Sequence, residues 1–187
     1  LSAASAAENA AAGTDIGTLS TTDGDASGNS HVYTLVTDSG GATAYSGTAF
    51  ALDSAVLEVG SSSGFDYETT TSYTVYVKVA DGSNTAYVEG FTISITDVND
   101  EDPVWVTAAS QSVEENTRNV ATLSVTDGDA ADSNTATYAI TTNDNSLFEI
   151  DSSTLRFVAA TGANFEAPGC GSSSNSCTVI VRATDAN

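Results

Sequence analysis

A long-period internal repeat constrains this chain more than any other feature. Thr18-Leu19-Ser20-Thr21-Thr22-Asp23-Gly24-Asp25-Ala26 returns as Thr122-Leu123-Ser124-Val125-Thr126-Asp127-Gly128-Asp129-Ala130. Glu8-Asn9 returns as Glu115-Asn116, Tyr33 as Tyr138, and Phe50-Ala51-Leu52-Asp53 as Phe148-Glu149-Ile150-Asp151. Further on, Thr74-Val75-Tyr76-Val77 returns as Thr178-Val179-Ile180-Val181, and Asp81 as Asp185. The offset stays near about 104 residues, which makes these two copies of one folding unit. At 187 residues the chain is long enough for each copy to bury its own core.

Within each copy, short Val/Ile/Thr/Tyr segments are broken by Gly, Ser, Asn and Asp, which argues for all-β sandwiches. In the first copy strands are expected around 16–21, 31–35, 49–52, 56–59, 73–80 and 90–96, with a short edge strand before Glu8. Tyr73, Val75, Val77 and Val79 alternate with Thr74, Tyr76 and Lys78, placing the first set on one face. The Ala-rich opening, Ala3 to Ala12, has helix propensity, but its counterpart before Glu115 is not Ala-rich, so it reads as extended or loop. The expected domains are 1–102, with an acidic linker at 97–103, and 103–187. The first copy runs on from Asp81 through the 90–96 strand, whereas the second stops at Asn187, two residues past Asp185. The second sandwich is therefore expected to lack its last strand within this chain. The preferred explanation is that the chain is a fragment of a longer array; the alternative is that another chain supplies the strand.

Charge enters at the linker. Asp97-Val98-Asn99-Asp100-Glu101-Asp102-Pro103 carries four carboxylates in seven residues. Close carboxylates repel by roughly 1 kcal/mol or more per pair, so a neutralising cation is the economical explanation. Pro103 forces Asp102 to be extended, which suits a taut connector between two β domains. The whole chain has 25 acidic residues against four basic ones, a formal net charge of -21. That balance argues against nucleic acid or an anionic membrane surface as a partner and favours divalent cations or a saline setting. Plain solubility in salt water is the simpler alternative.

The two cysteines, Cys170 and Cys177, bracket a Gly/Ser-rich loop, a spacing that suits a disulfide in an oxidising compartment rather than a metal or redox site. No apolar run approaches the length of a membrane span, and no signal peptide or methionine is present, so Leu1 reads as the start of a mature or excised piece rather than a translation start. Enzyme chemistry finds little support. His31 is the only histidine, and there is no zinc-protease motif, no phosphate-cradling Gly-rich loop and no free activated thiol. Paired carboxylates of the kind a glycosidase needs are accounted for by the junction.

Several ordered motifs together resemble tandem extracellular cadherin repeats over nearly the whole chain. Glu8 sits where that family has its first-strand glutamate. Phe65-Asp66-Tyr67-Glu68 resembles its Asp-x-Glu motif, 97–103 its Asp-x-Asn-Asp-x-x-Pro linker, and Asp127-Gly128-Asp129 its Asp-x-Asp, with Asn134 and Asp185 following in order. The resemblance implies two tandem Greek-key (Ig-like) sandwiches of seven strands, with Ca²⁺ clustered at the junction. The ligand set it implies is Glu8, Asp66, Glu68, Asp97, Asn99, Asp100, Glu101, Asp127, Asp129, Asn134 and Asp185, enough for roughly two or three ions. Weaker outer sites would use Asp23, Asp25, Asn29 and Asp81 at one end and Glu115 and Glu166 at the other. Two departures stand out: Glu101 replaces the family's usual Asn, and Phe165-Glu166-Ala167-Pro168 keeps only Glu166 of the Asp-x-Glu motif.

The expectation is a non-enzymatic, calcium-rigidified structural or adhesive module of a secreted or cell-surface repeat protein. Its partners would be calcium ions, neighbouring repeats, other copies of the chain, and a glycan or cell-surface ligand. A filament subunit assembled by strand exchange and a polysaccharide-binding accessory module are the alternatives. The missing Asn-x-Ser/Thr sequon and the Lys-poor composition lean towards a microbial source. Plainer readings stand beside these: Asp-Gly-Asp also makes ordinary turns, Trp105 reads as core, His31 as strand surface, and Tyr45 as a loop aromatic.

Overall fold

The computed structural model describes residues 1–24, 30–61, 64–82, 86–129, 136–160, 162–167, 169–170 and 175–185. The chain divides into two compact units, Leu1–Val98 and Asn99–Asn187, a boundary four residues before the one expected. Asp25, Asn29 and Asn134 lie outside the described residues.

Among its described residues the first unit has seven strands, arranged as a sandwich. Its strands are β1 (Ser5–Ala7), β2 (Asp15–Thr18), β3 (Val32–Val36), β4 (Phe50–Asp53), β5 (Val56–Val59), β6 (Ser72–Ala80) and β7 (Tyr87–Thr96). One sheet has the order β1-β7-β6-β3, the other β2-β5-β4. β1 runs parallel to β7, with Ser5 opposite Ser94, so the first strand lies beside the last. β7 starts at Tyr87, earlier than expected, because Tyr87, Val88 and Glu89 pair with Val79, Lys78 and Val77. Alternation along β6 buries Val75 and Val77. They meet Leu35, Phe50, Leu57 and Ile93 in one core, where Leu57 and Ile93 are each 0% exposed. Burying each such side chain stabilises the unit by about 1.5–3 kcal/mol relative to leaving it exposed.

The second unit has β8 (Val104–Trp105), β9 (Asn119–Thr122), β10 (Val125–Thr126), β11 (Thr137–Asn143), β12 (Phe148–Asp151), β13 (Thr154–Phe157) and β14 (Val179–Thr184). Its sheets are β12-β13-β9, β11-β14 and β10-β8. Nothing among the described residues takes the place of β7, and the buried cluster is correspondingly small: Leu123, Phe148 and Leu155. Cys170 and Cys177 are disulfide-bonded ahead of β14. The fold is therefore all-β, and no helix among the described residues is long and apolar enough to cross a membrane.

The repeat holds down to single dihedrals. Ser54 and Ser152, at the tips of the β4–β5 and β12–β13 hairpins, both have φ 57°, and Asn9 and Asn116 have φ 54° and 63°. Short polar side chains tolerate this left-handed region better than others do. Trp105 departs from expectation. It is 40% exposed, because β8 is two residues long and among the described residues pairs only with β10, and its ring lies 5.7 Å from that of Tyr138.

Candidate metal centre

In the first unit Glu8, Asp66 and Glu68 each offer one carboxylate oxygen, and the three oxygens all lie within 4.8 Å of one another. Strand pairing positions Glu8: its N–H donates to the Thr96 carbonyl at 3.0 Å, extending the β1–β7 ladder by one residue. Its side chain is 3% exposed. Oε2 accepts the Tyr67 N–H at 2.8 Å and Oε1 accepts the Val98 N–H at 2.7 Å.

The loop carrying the other two acids is pinned by Phe65, which is 2% exposed and packs 5.5 Å from Phe50 and 5.2 Å from Tyr73, ring centre to ring centre. Asp66 then caps its own turn. Oδ1 accepts the Thr69 N–H at 2.8 Å, Oδ2 accepts the Thr69 hydroxyl at 2.9 Å, and the Asp66 carbonyl accepts the Thr70 N–H at 2.9 Å. That turn, an Asp-x-x-Thr cap of ordinary type, brings Glu68 back beside Asp66. Three carboxylates at such spacing repel by about 1 kcal/mol per pair in water and about 3–4 kcal/mol at an effective dielectric of 20.

The second unit builds a separate acidic loop. Asp129 is 1% exposed. Its Oδ2 accepts the Glu101 N–H at 3.1 Å and its Oδ1 accepts the Asp100 N–H at 3.4 Å. The Asp129 N–H donates to Asp127 Oδ1 at 3.1 Å. Asp127 Oδ2 is buried with no hydrogen-bond partner among the described residues. A buried carboxylate oxygen without a donor is costly, and a cation is the group that would meet it.

The ion pairs that the lysine and arginine side chains make lie elsewhere among the described residues. Arg118 and Arg156 pair with Glu149 at 2.8 Å each, Arg156 also with Asp151, and Lys78 reaches the Gly41 carbonyl at 3.4 Å. Glu8, Asp66, Asp127 and Asp129 form no ion pair with a basic side chain among the described residues. The donors are all hard oxygens with no imidazole or thiolate among them, a set that fits calcium, which takes six to eight such oxygens in flexible geometry.

The other expected ligands are placed as follows. Asp97 follows β7 and is half-buried; Asn99, Asp100 and Glu101 are exposed; Asp185 follows β14 and is half-buried. At the outer end, Asp23 Oδ2 lies 3.9 Å from His31 Nε2, and Asp81 follows β6. Glu115 and Glu166 are exposed, and neither joins a group of three converging acids among the described residues. The backbone donors of Tyr67, Val98, Asp100 and Glu101, and the Thr69 cap, were not anticipated. Of these only the cap has a sequence signal, Asp66-x-x-Thr69.

No protein-family model matches the chain, and no curated protein matches it. Solved structures do. The chain matches mouse cadherin-23 EC22-24 with TM-score 0.62 at 15% identity, over 98% of this chain and 61% of that one. It matches chicken VE-cadherin EC1-2 with TM-score 0.64 at 22% identity, over 100% and 90%. The human desmocollin-1 ectodomain matches with TM-score 0.64 at 19% identity, over 98% of this chain and 40% of that one. The fold is thus that of cadherin ectodomain repeats, and the chain spans less than two thirds of the first and third of these.

Proposed function

We propose that this chain is a calcium-binding structural or adhesive module of an extracellular repeat protein, without enzymatic activity. The observation that carries this reading is the pair of buried carboxylates, Glu8 and Asp129. Each is fixed by two backbone N–H groups and sits beside further acids, with no ion pair to a basic side chain among the described residues. The three carboxylate oxygens of Glu8, Asp66 and Glu68 within 4.8 Å of one another support the same reading.

In this reading Glu8, Asp66, Glu68 and Asp97 supply ligands from the first unit. Asp100, Glu101, Asp127 and Asp129 supply them from the second, with Asn99, Asn134 and Asp185 completing the set. The acidic stretch 97–103 spans the boundary, so neutralising it relieves repulsion within the connector and stiffens it. Extracellular modules bind calcium with Kd of about 10⁻⁴ to 10⁻³ M, which keeps such a site filled outside cells and empty inside them. Resemblance to cadherin ectodomains supports an adhesive role and an extracellular location, and neighbouring repeats as partners.

Calorimetric titration with calcium tests the assignment. The chain should bind in the range above, and Glu8→Gln and Asp127→Asn should each weaken binding by about tenfold or more. Unchanged affinity in both variants relative to the parent chain, or no heat at millimolar calcium, would remove the metal from the account.

A further inference from the structure

The outer face of the first unit's larger sheet differs in chemistry from the rest of the chain. Leu35, Val75, Val77, Ile93 and Ile95 are buried on its inner side, so their neighbours along β3, β6, β7 and β1 point outward. In a chain with 25 acidic residues, none of those outward residues is Asp or Glu, and the one charge among them is Lys78. The other sheet does not share this: Asp15, Asp53 and Glu58 stand on its outer face.

Tyr76 occupies the middle of the acid-free face. It stands opposite Gly90 on β7, and a Cβ built on Gly90 would lie 3.0 Å from Tyr76 Cε1 and 3.2 Å from Cδ1, so the ring lies across β7 at the glycine. To one side of the ring Thr74 faces Thr92, and Ser72, Ser94 and Ser5 form a row across three strands at steps of about 4.8 Å. All five are exposed, and their hydroxyls make no hydrogen bond among the described residues. To the other side the 37–49 connection folds over the sheet as a wall. Val36 bridges Ala44 and is 3% exposed, a Cβ on Gly41 would run into Val88 Cγ2, and Lys78 Nζ donates to the Gly41 carbonyl at 3.4 Å. In the second unit only 144–147 join β11 to β12, and Ile180 stands in the place of Tyr76, so ring and wall are features of the first copy.

We infer that this face is a binding platform for a neutral, β-1,4-linked hexose chain. The Tyr76 ring stacks on the apolar face of one sugar, and the hydroxyls of Thr74, Thr92, Ser72 and Ser94 exchange hydrogen bonds with the units beside it. Size selects a glycan over a protein: three strands over Gly90–Thr96 offer on the order of 300 Å², well below the roughly 800 Å² that each partner buries in a stable protein interface. Charge selects a neutral glycan, because a chain of net charge -21 repels an anionic polymer and draws a cationic one to its acids instead. Serine and threonine hydroxyls both donate and accept, as sugar hydroxyls do, and a run of strands matches an extended ribbon better than a coil. None of these residues belongs to the acidic clusters, so the inference stands apart from cation binding.

Cellohexaose is the probe, titrated into the isotope-labelled whole chain once in calcium and once in chelator. Amide resonances of Thr74–Tyr76 and Gly90–Ser94 should shift, equally in both conditions. Tyr76→Ala should weaken binding by about three- to tenfold, the value of one ring contact, while Tyr76→Phe leaves it unchanged. Thr74→Val with Thr92→Val removes two hydroxyls at constant shape and should weaken binding at least as much. Where Tyr76→Ala loosens the sheet, Gly90→Ala serves instead, since it keeps the ring but displaces it, and binding should again fall. Maltohexaose, the same sugars in an α-linked coil, and an oligogalacturonate, an anionic chain, should both bind more weakly. Absence of shifts in excess cellohexaose, shifts away from this face, binding that needs calcium, or undiminished binding by both Tyr76→Ala and Gly90→Ala overturns the inference. So does self-association that protects the same amides without sugar, since a second copy would then own the face.

Discussion

Glu8 and Val98 stand 90 residues apart, and the Glu8 Oε1 atom accepts the Val98 N–H at 2.7 Å. Its other oxygen holds the Tyr67 N–H, so one buried carboxylate ties the first strand, the Phe65–Glu68 loop and the segment leaving β7 together. Truncation to Ala leaves two backbone donors without their acceptor. Glu8→Ala should therefore destabilise the metal-free first unit by about 2–4 kcal/mol, at about 1–3 kcal/mol per stranded donor before relaxation. Glu8→Gln retains one acceptor and should cost less, while losing calcium affinity. Denaturant unfolding in chelator, set against calorimetry in calcium, separates the two effects.

Calcium itself should stabilise the chain by mass action. At a calcium concentration a hundredfold above Kd, binding one ion adds about 2.7 kcal/mol, which for a domain of this size raises Tm by about 10 °C or more. Chelator should return Tm to its starting value. Small-angle scattering on the same samples should give a narrower distribution of dimensions in calcium, and identical curves with and without chelator would contradict stiffening of the 97–103 connector.

Much of this fold was legible because side-chain period and repeat length report geometry directly. Val56–Val59 was anticipated residue for residue, and β6 to within one residue, since alternation there follows burial. The acids of the candidate centre were legible because Glu8, Asp66 and Glu68 stand in a recognisable order. Their fixing was not: Glu8 is held by main-chain N–H groups of Tyr67 and Val98, which carry no side-chain signature. Nor does the repeat foretell that Phe65 and Phe165 differ in burial. Phe65 is covered by Phe50 and Tyr73, a tertiary condition outside the local pattern. Trp105 was misplaced for a related reason, since an aromatic beside a proline reads as core unless its strand proves too short to be covered.

Glu149 should matter more than its exposure implies. It receives Arg118 Nη2 from the β9 side and Arg156 Nε from β13, both at 2.8 Å, and Arg156 also pairs with Asp151. Exposed ion pairs contribute about 0.2–1 kcal/mol each, so Glu149→Ala should cost about 0.5–2 kcal/mol. The loss should shrink in molar salt, where the Debye length falls to about 3 Å. A cost that salt does not reduce would mean that packing of the arginine stems, not charge, holds the three strands.

Tyr87 offers a pH-dependent readout. Its phenol donates to Glu89 Oε2 at 2.9 Å, and this hydrogen bond, with the negative charge behind it, raises the phenol above its ordinary value of 10.0. A raised folded value means that any stabilisation is complete below the unfolded value and fades as pH climbs through the folded one. The ring is exposed, so the titration is the measurement rather than stability. Tyrosine ring-carbon NMR should show Tyr87 losing its proton at higher pH than in Glu89→Ala, and coincident curves would refute the contact.

Phe65 and Phe165 give the sharpest contrast between the two copies. Phe65 packs on Phe50 and Tyr73 and is 2% exposed, so Phe65→Ala removes a core ring and should cost about 3–5 kcal/mol. It should also weaken calcium binding, because the ring pins the loop that presents Asp66 and Glu68. Phe165 is 64% exposed, and Phe165→Ala should change stability by no more than about 0.5 kcal/mol. Urea denaturation of the two variants, with calcium titrations alongside, checks both numbers. Similar costs at the two positions would show that Phe165 is packed in solution.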